Sequence, residues 1–167
     1  MNQQVEVAIV MGSKSDWPVL EHTVQTLKKF GIGSTVRIMS AHRTPHEAAE
    51  FAENAAKNGI KIIIGAAGGA AHLAGVLAGH TTLPVIGIPV KGWALDGMDS
   101  LLSTVQMPKG VPVATVAIGK AGAINAAVLA AQILALSNPE LQEKMVAFKK
   151  TMAEEVRQAD AELQAEL

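Results

Sequence analysis

The 167-residue chain has no cysteine and no tyrosine, and aromatics make up only 3% of it. Without thiols there are no disulfides, no thiolate nucleophile and no thiolate metal ligand. Charge is also scarce. Charged residues are 17%, below the roughly 25% of average domains. A formal net charge of −1 and a pI near 6.5 give no field that would draw the chain to nucleic acid or to an anionic membrane. Internal repeats and low-complexity linkers are missing as well. The N-terminus runs straight into a strand pattern rather than a signal peptide, so the expected location is the cytoplasm. Ile62 to Gly79 is apolar and long enough to resemble a membrane span. Its glycines, its central histidine and the polar turns on either side argue against one.

What is abundant is small apolar residues. Hydrophobic residues reach 49% and mean hydropathy is +0.27. A chain of one domain's length has too much surface to hide that much apolar matter alone, which points to burial between subunits. The many alanines suit close helix packing at such contacts.

Apolar runs alternate with helical patterns along the chain. Strands are expected near Val5–Val10, Thr35–Met39, Lys61–Ala66, Val85–Ile88 and Val113–Ala117. Helices are expected over Trp17–Phe30, Pro45–Lys57, Ala70–Gly79, Met98–Gln106 and Ala121–Leu136. Strands separated by helices imply a parallel sheet with right-handed crossovers. The expectation is an α/β, three-layer, flavodoxin-like (Rossmann-like) fold of strand order 2-1-3-4-5, with a crevice beside the first strand. One domain is expected over 1–167, with an α/β core to 136 and a helical extension over 137–167. In that extension a helix starts at Ser137 or Asn138. Leu141, Met145, Phe148, Met152 and Val156 form one apolar stripe on it, suited to a neighbouring subunit, and the charged tail past Arg157 reads as a solvated end.

Three groups of residues follow the first three strands. Gly12-Ser13-Lys14-Ser15-Asp16 leads into a helix, where unpaired N–H groups favour an anion. Its spacing matches neither the dinucleotide nor the Walker pattern, so Ser15 or Asp16 capping the helix at Trp17-Pro18 is an equal reading. Ser40-Ala41-His42-Arg43-Thr44-Pro45 adds a guanidinium that can grip phosphate bidentately and an imidazole that can take and give a proton near neutrality. The plainer alternative is a surface loop with a capping histidine. Gly68-Gly69-Ala70-Ala71-His72 lets backbone approach a ligand closely. Taken by itself, His72 beside apolar residues reads more readily as a packing residue than as a catalyst.

Together with Ser103-Thr104-Val105-Gln106-Met107-Pro108, these runs resemble the signatures of the PurE family, from about Val5 to Leu136. Arg43-Thr44-Pro45 and Gly69-Ala70-Ala71-His72 are similar to the 5-(carboxyamino)imidazole ribonucleotide mutases rather than to the animal carboxylases of the same fold. The chain departs from the family's common pattern at Ala74, where proline is usual. The resemblance implies decarboxylation and recarboxylation of a small ribonucleotide, with His42 as the general acid and base. It implies Ser13 and Arg43 on the ribose phosphate, Asp16 on the ribose hydroxyls, and Ser15 with the backbone at Gly68 and Gly69 on the migrating carboxylate. Ser40 and Leu73 line the site. His72 either orients the carboxylate or only structures its loop.

No cofactor and no metal are expected, since His42 and His72 lack carboxylate partners at a ligand spacing. His22, His46 and His80 match no motif. The resemblance also implies a homo-octamer whose C-terminal helices reach adjacent subunits. Two rivals stand beside this reading: direct carboxylation of aminoimidazole ribonucleotide, and a non-catalytic phosphate- or nucleotide-binding module.

Overall fold

Branched apolar residues at consecutive positions favour a strand that is covered on both faces. In the computed structural model, which describes residues 4–167, Val5–Met11 forms such a strand, β1, and is buried from Val7 onward. It pairs in parallel with β2 (Gly33–Ile38) on one side and β3 (Ile62–Gly68) on the other. Beyond β3 lie β4 (Val85–Val90) and β5 (Ala114–Thr115), giving the order β2-β1-β3-β4-β5. The chain winds outward from β1 to β2, then returns to place β3 on β1's other side. That reversal opens a crevice at the carboxyl ends of β1 and β3.

The helices between the strands are α1 (Trp17–Phe30), α2 (Pro45–Ala55), α3 (Leu73–Gly79) and α4 (Met98–Val105), and α5 (Gly119–Ala135) follows the last strand. Pro18 and Pro45 sit in the first turns of α1 and α2, where a missing N–H costs nothing. Ala48, Ala52 and Ala55 of α2 pack with Leu73, Ala74 and Leu77 of α3 over Ala8, Val10 and Ile63. The alternate strand residues Val7, Ile9, Ile62 and Ile64 are equally buried and point to the opposite face. On α1, Leu20 and Leu27 are buried, and the buried Thr23 hydroxyl donates to the Ala123 carbonyl of α5 at 2.8 Å.

Gly65 and Gly87 are register partners on β3 and β4. A Cβ at Gly65 would lie 3.0 Å from the Ala74 backbone, and one at Gly87 would lie 2.5 Å from Thr104 Cγ2. The paired glycines therefore form a trough that lets α3 and α4 settle close to the sheet.

Most element ends shift by one or two residues from the sequence reading, and two elements differ by more. β5 spans only two residues, because Pro112 removes a ladder donor just before it and the strand lies at the sheet edge. α3 begins at Leu73 rather than Ala70, because β3 runs on to Gly68 and 69–71 form a turn.

The chain divides into two compact units, one ending at Ala130 and one over Ala131–Leu167. In the second, α6 (Pro139–Glu166) is capped by Asn138, whose side chain accepts the Leu141 N–H at 3.1 Å. The stretch past Arg157 is helical as well as exposed. Along the apolar stripe Leu141 and Met145 are buried, Phe148 is half-buried, and Met152 and Val156 are exposed. Among the described residues no helix is long and apolar enough to cross a membrane.

Candidate active site

Five loops leave the carboxyl ends of the strands, and together they line a cavity of about 760 Å³. The loop after β1 is organised by Ser13. Its Oγ accepts the Ser15 N–H at 3.2 Å and lies 2.8 Å from Ser15 Oγ, while its own N–H donates to Asp16 Oδ2 at 3.2 Å. Ser13 thus caps the short 3-10 turn Lys14–Asp16. The reading in which Ser15 or Asp16 caps α1 is corrected: Asp16 occupies the N-cap position, but its carboxylate caps nothing there because it is turned back to Ser13.

Asp16 is only 9% exposed. Burial raises its carboxyl above the ordinary carboxylate range, opposed by the Ser13 hydrogen bond and by the charge of Arg43.

The loop after β2 is wound around Ser40. Its hydroxyl oxygen accepts from the backbone N–H of His42 (3.3 Å) and of Arg43 (3.1 Å), and from Arg43 Nε (3.4 Å). Arg43 Nη2 reaches across to donate to the Gly12 carbonyl at 2.8 Å, tying this loop to the one after β1. The remaining guanidinium donors are available to an anion. Ser40 therefore acts mainly as the pivot of the turn, although it also borders the cavity.

After β3 the chain turns at Gly69, whose φ of +64° is a left-handed conformation that suits glycine. His72 follows at the N-cap position of α3. Here the first and third loops meet the second: His42 Nε2 and His72 Nδ1 lie 2.9 Å apart, with the rings nearly perpendicular at a centroid distance of 5.0 Å. One nitrogen donates and the other accepts, according to tautomer, so a single proton occupies that bond. Such a pair can hold a proton and pass it in either direction.

Ser13, Ser15, Asp16, Ser40, His42, Arg43, Gly68, His72 and Leu73 all border the cavity. Gly69 does not; it lies behind the wall and shapes the turn. Leu73 is 1% exposed and belongs mostly to the core. The sequence reading missed Lys91, Gly92 and Trp93 after β4, and Gly119 at the start of α5. These positions follow the fourth and fifth strands, so counting strand ends around the rim would have found them. His80, which matched no motif, lies 3.0 Å from Glu53, away from the cavity. Among the described residues no group of three or more potential ligands is placed to hold a metal ion.

Comparison with known proteins bears on what such a rim does. The chain is 52% identical over 150 residues to a Vibrio cholerae serotype O1 protein named N5-carboxyaminoimidazole ribonucleotide mutase, covering 90% of this chain and 93% of that one. It is 54% identical over 149 residues to a Haemophilus influenzae protein of the same name, covering 89% and 91%. The crystal structure of Treponema denticola PurE superposes with a TM-score of 0.85 at 31% identity, over 94% of this chain and 97% of that one. Residues 6–155 match the family model described as AIR carboxylase, and with relatives this similar over nearly the whole length, the chain belongs to that family.

Proposed function

We propose that the chain is an isomerase of purine nucleotide synthesis that converts 5-(carboxyamino)imidazole ribonucleotide to 5-amino-4-imidazolecarboxylate ribonucleotide. One observation carries the reading. The His42–His72 bond sits in a cavity that also holds Arg43, Ser13 and the small residues after β3. The name shared by relatives at 52% and 54% identity supports the substrate.

In this reaction a carboxylate leaves an exocyclic nitrogen as carbon dioxide and is captured by the neighbouring ring carbon. The pair of electrons in the broken N–C bond stays with nitrogen, which gains a proton. The ring carbon attacks carbon dioxide and then sheds its own proton. Net, one proton moves from carbon to nitrogen, so a single imidazole can supply it and recover it. His42 takes that role, with His72 fixing its ring and sharing the proton.

Ser13 and the outward donors of Arg43 hold the ribose phosphate, and Asp16 accepts from the ribose hydroxyls. Ser15 and the backbone at Gly68 face the carboxylate, while Gly69 keeps that backbone in position. Carbon dioxide must stay in place between the two steps. A close wall of Ala67, Gly68 and Ala70 suits this by leaving little room for water.

The protein works in the cytoplasm as a homo-octamer in which α6 rests on a neighbouring copy. The exposed Met98, Leu102 and Val105 of α4 and Met152 and Val156 of α6 support burial between copies. A light-scattering mass eight times that of the protomer is the expected result.

The decisive assay gives the protein 5-(carboxyamino)imidazole ribonucleotide without ATP or bicarbonate and follows the 4-carboxy product by ultraviolet absorbance. A parallel run supplies aminoimidazole ribonucleotide and bicarbonate. Rapid conversion in the first alone is expected. Activity only in the second makes the protein a direct carboxylase, and silence in both leaves a binding module. His42→Asn should lower turnover by at least about 10²-fold while leaving ligand affinity within about tenfold. Surviving turnover would remove His42 from the chemistry.

A further inference from the structure

The run Ser103-Thr104-Val105-Gln106-Met107-Pro108 borders no part of the cavity, yet three of its side chains reach the segment that carries His72. Ser103 Oγ accepts the Ala71 N–H at 3.0 Å and directs its own hydrogen to the Asp99 carbonyl at 2.7 Å. Ala71 is 2% exposed, so water has little access to take over that bond. Thr104 Oγ1 lies 3.5 Å from the Ala71 carbonyl and donates to the Ser100 carbonyl at 2.7 Å, while its methyl faces the trough at Gly87. Met107 Sδ lies where a Cβ on Gly75 of α3 would approach to 3.0 Å. The residue before His72 is thus held at its N–H, with the Thr104 side chain packed beside its carbonyl, and the helix that His72 opens is pressed from the side.

We propose that Ser103 is a positioning residue for proton transfer: through Ala71 it sets the His72 ring at bonding distance from His42. This rests on the proton-sharing role given to the histidine pair. A misplacement of about 1 Å at such a pair is enough to cost up to about 10²-fold in rate. Loss of the Ser103 hydroxyl leaves the Ala71 N–H without its acceptor, and the turn relaxes to satisfy it elsewhere. Substrate binding depends mainly on the loops after β1 and β2, which Ser103 does not touch.

Ser103→Ala is therefore expected to lower kcat about ten- to hundredfold with little change in KM, and to move the limb of the pH–rate profile that reports the histidine pair. Ser103→Thr, which keeps the hydroxyl, should restore both. In a His72→Asn background the Ser103→Ala change should cost nothing further, because the group through which it acts is already gone. A lowered melting temperature with wild-type kcat and pH profile would overturn the proposal. So would rate losses that multiply in the double variant.

The crystal structure of Ser103→Ala supplies a readout that needs no substrate. The His42 Nε2 to His72 Nδ1 separation should open beyond hydrogen-bond distance, and an unchanged 2.9 Å would refute the positioning role. If the wild-type protein turned over neither ribonucleotide, the functional reading would fail while this distance still decided the positioning.

Discussion

The loops after β3 and β4 end neighbouring strands of the same rim and are secured in opposite ways. In the first, the left-handed turn falls on Gly69, Ala71 is buried, and α4 supplies an acceptor for the Ala71 N–H. In the second, left-handed conformations fall on Leu95 and Asp96, with φ of 54° and 49°, and Trp93 is 94% exposed. Its fastening is the surface ion pair of Lys91 Nζ with Asp96 Oδ1 at 2.5 Å, which lowers the Asp96 carboxyl. Both charges lie in water, so the pair adds little. The loop after β3 spends its sequence on an unstrained, closely supported backbone, as a segment that must aim a side chain requires. The loop after β4 keeps backbone strain and exposes apolar surface, as a segment completed by other contacts can.

Gly69→Val is the strongest way to break this contrast. Space is not the objection, since an added Cβ would lie 3.7 Å from the Trp93 ring. A β-branched residue at φ +64° is strained, and a loss of about 2 kcal/mol is expected in chemical denaturation, with turnover reduced. If the variant were as stable as wild type, the loop after β3 would be as tolerant as its neighbour.

Asp16→Asn probes the supported side more gently. Burial raises the Asp16 carboxyl in the folded protein above its unfolded value. The folded state therefore binds that proton more tightly, and the ionised group opposes folding at neutral pH. The amide should melt higher near neutrality, and the gain should shrink as pH falls through the carboxylate range. Affinity for the ribonucleotide should fall at the same time. Equal melting temperatures at every pH would mean that burial costs the carboxylate nothing.

The smallest effect is expected on the other loop. Leu95→Gly relieves the left-handed strain but adds chain entropy to the unfolded state, for a net gain of about 0.5 kcal/mol. A loss instead would show that the Leu95 side chain is held by something that outweighs its strain.

The sequence disclosed the strands because buried parallel strands are written in consecutive branched residues, as in Val5 to Val10 and Ile62 to Ile64. It disclosed the loops after the first three strands because glycine, serine and histidine there contrast with those apolar runs. Lys91 and Gly92 break from the apolar run before them in the same way, but with Trp93 they match no motif, and their place on the rim follows from the strand order. The meeting of His42 with His72 was equally hidden. Thirty residues separate them, and only the pairing of β1 with both β2 and β3 brings their loops together. The Ser103 contact depends on α4 lying in the Gly65–Gly87 trough, which no periodicity reveals.

The two-residue β5 has a consequence for colloidal behaviour. An edge strand is a template on which a foreign strand can add through its unpaired amides, and longer edges invite more of it. On that side the sheet offers Ala114 and Thr115 alone, with Pro112 just ahead. A polypeptide that is nearly half hydrophobic thus presents almost no ladder there for runaway strand addition, which leaves the six-residue β2 as the longer of the two sheet edges.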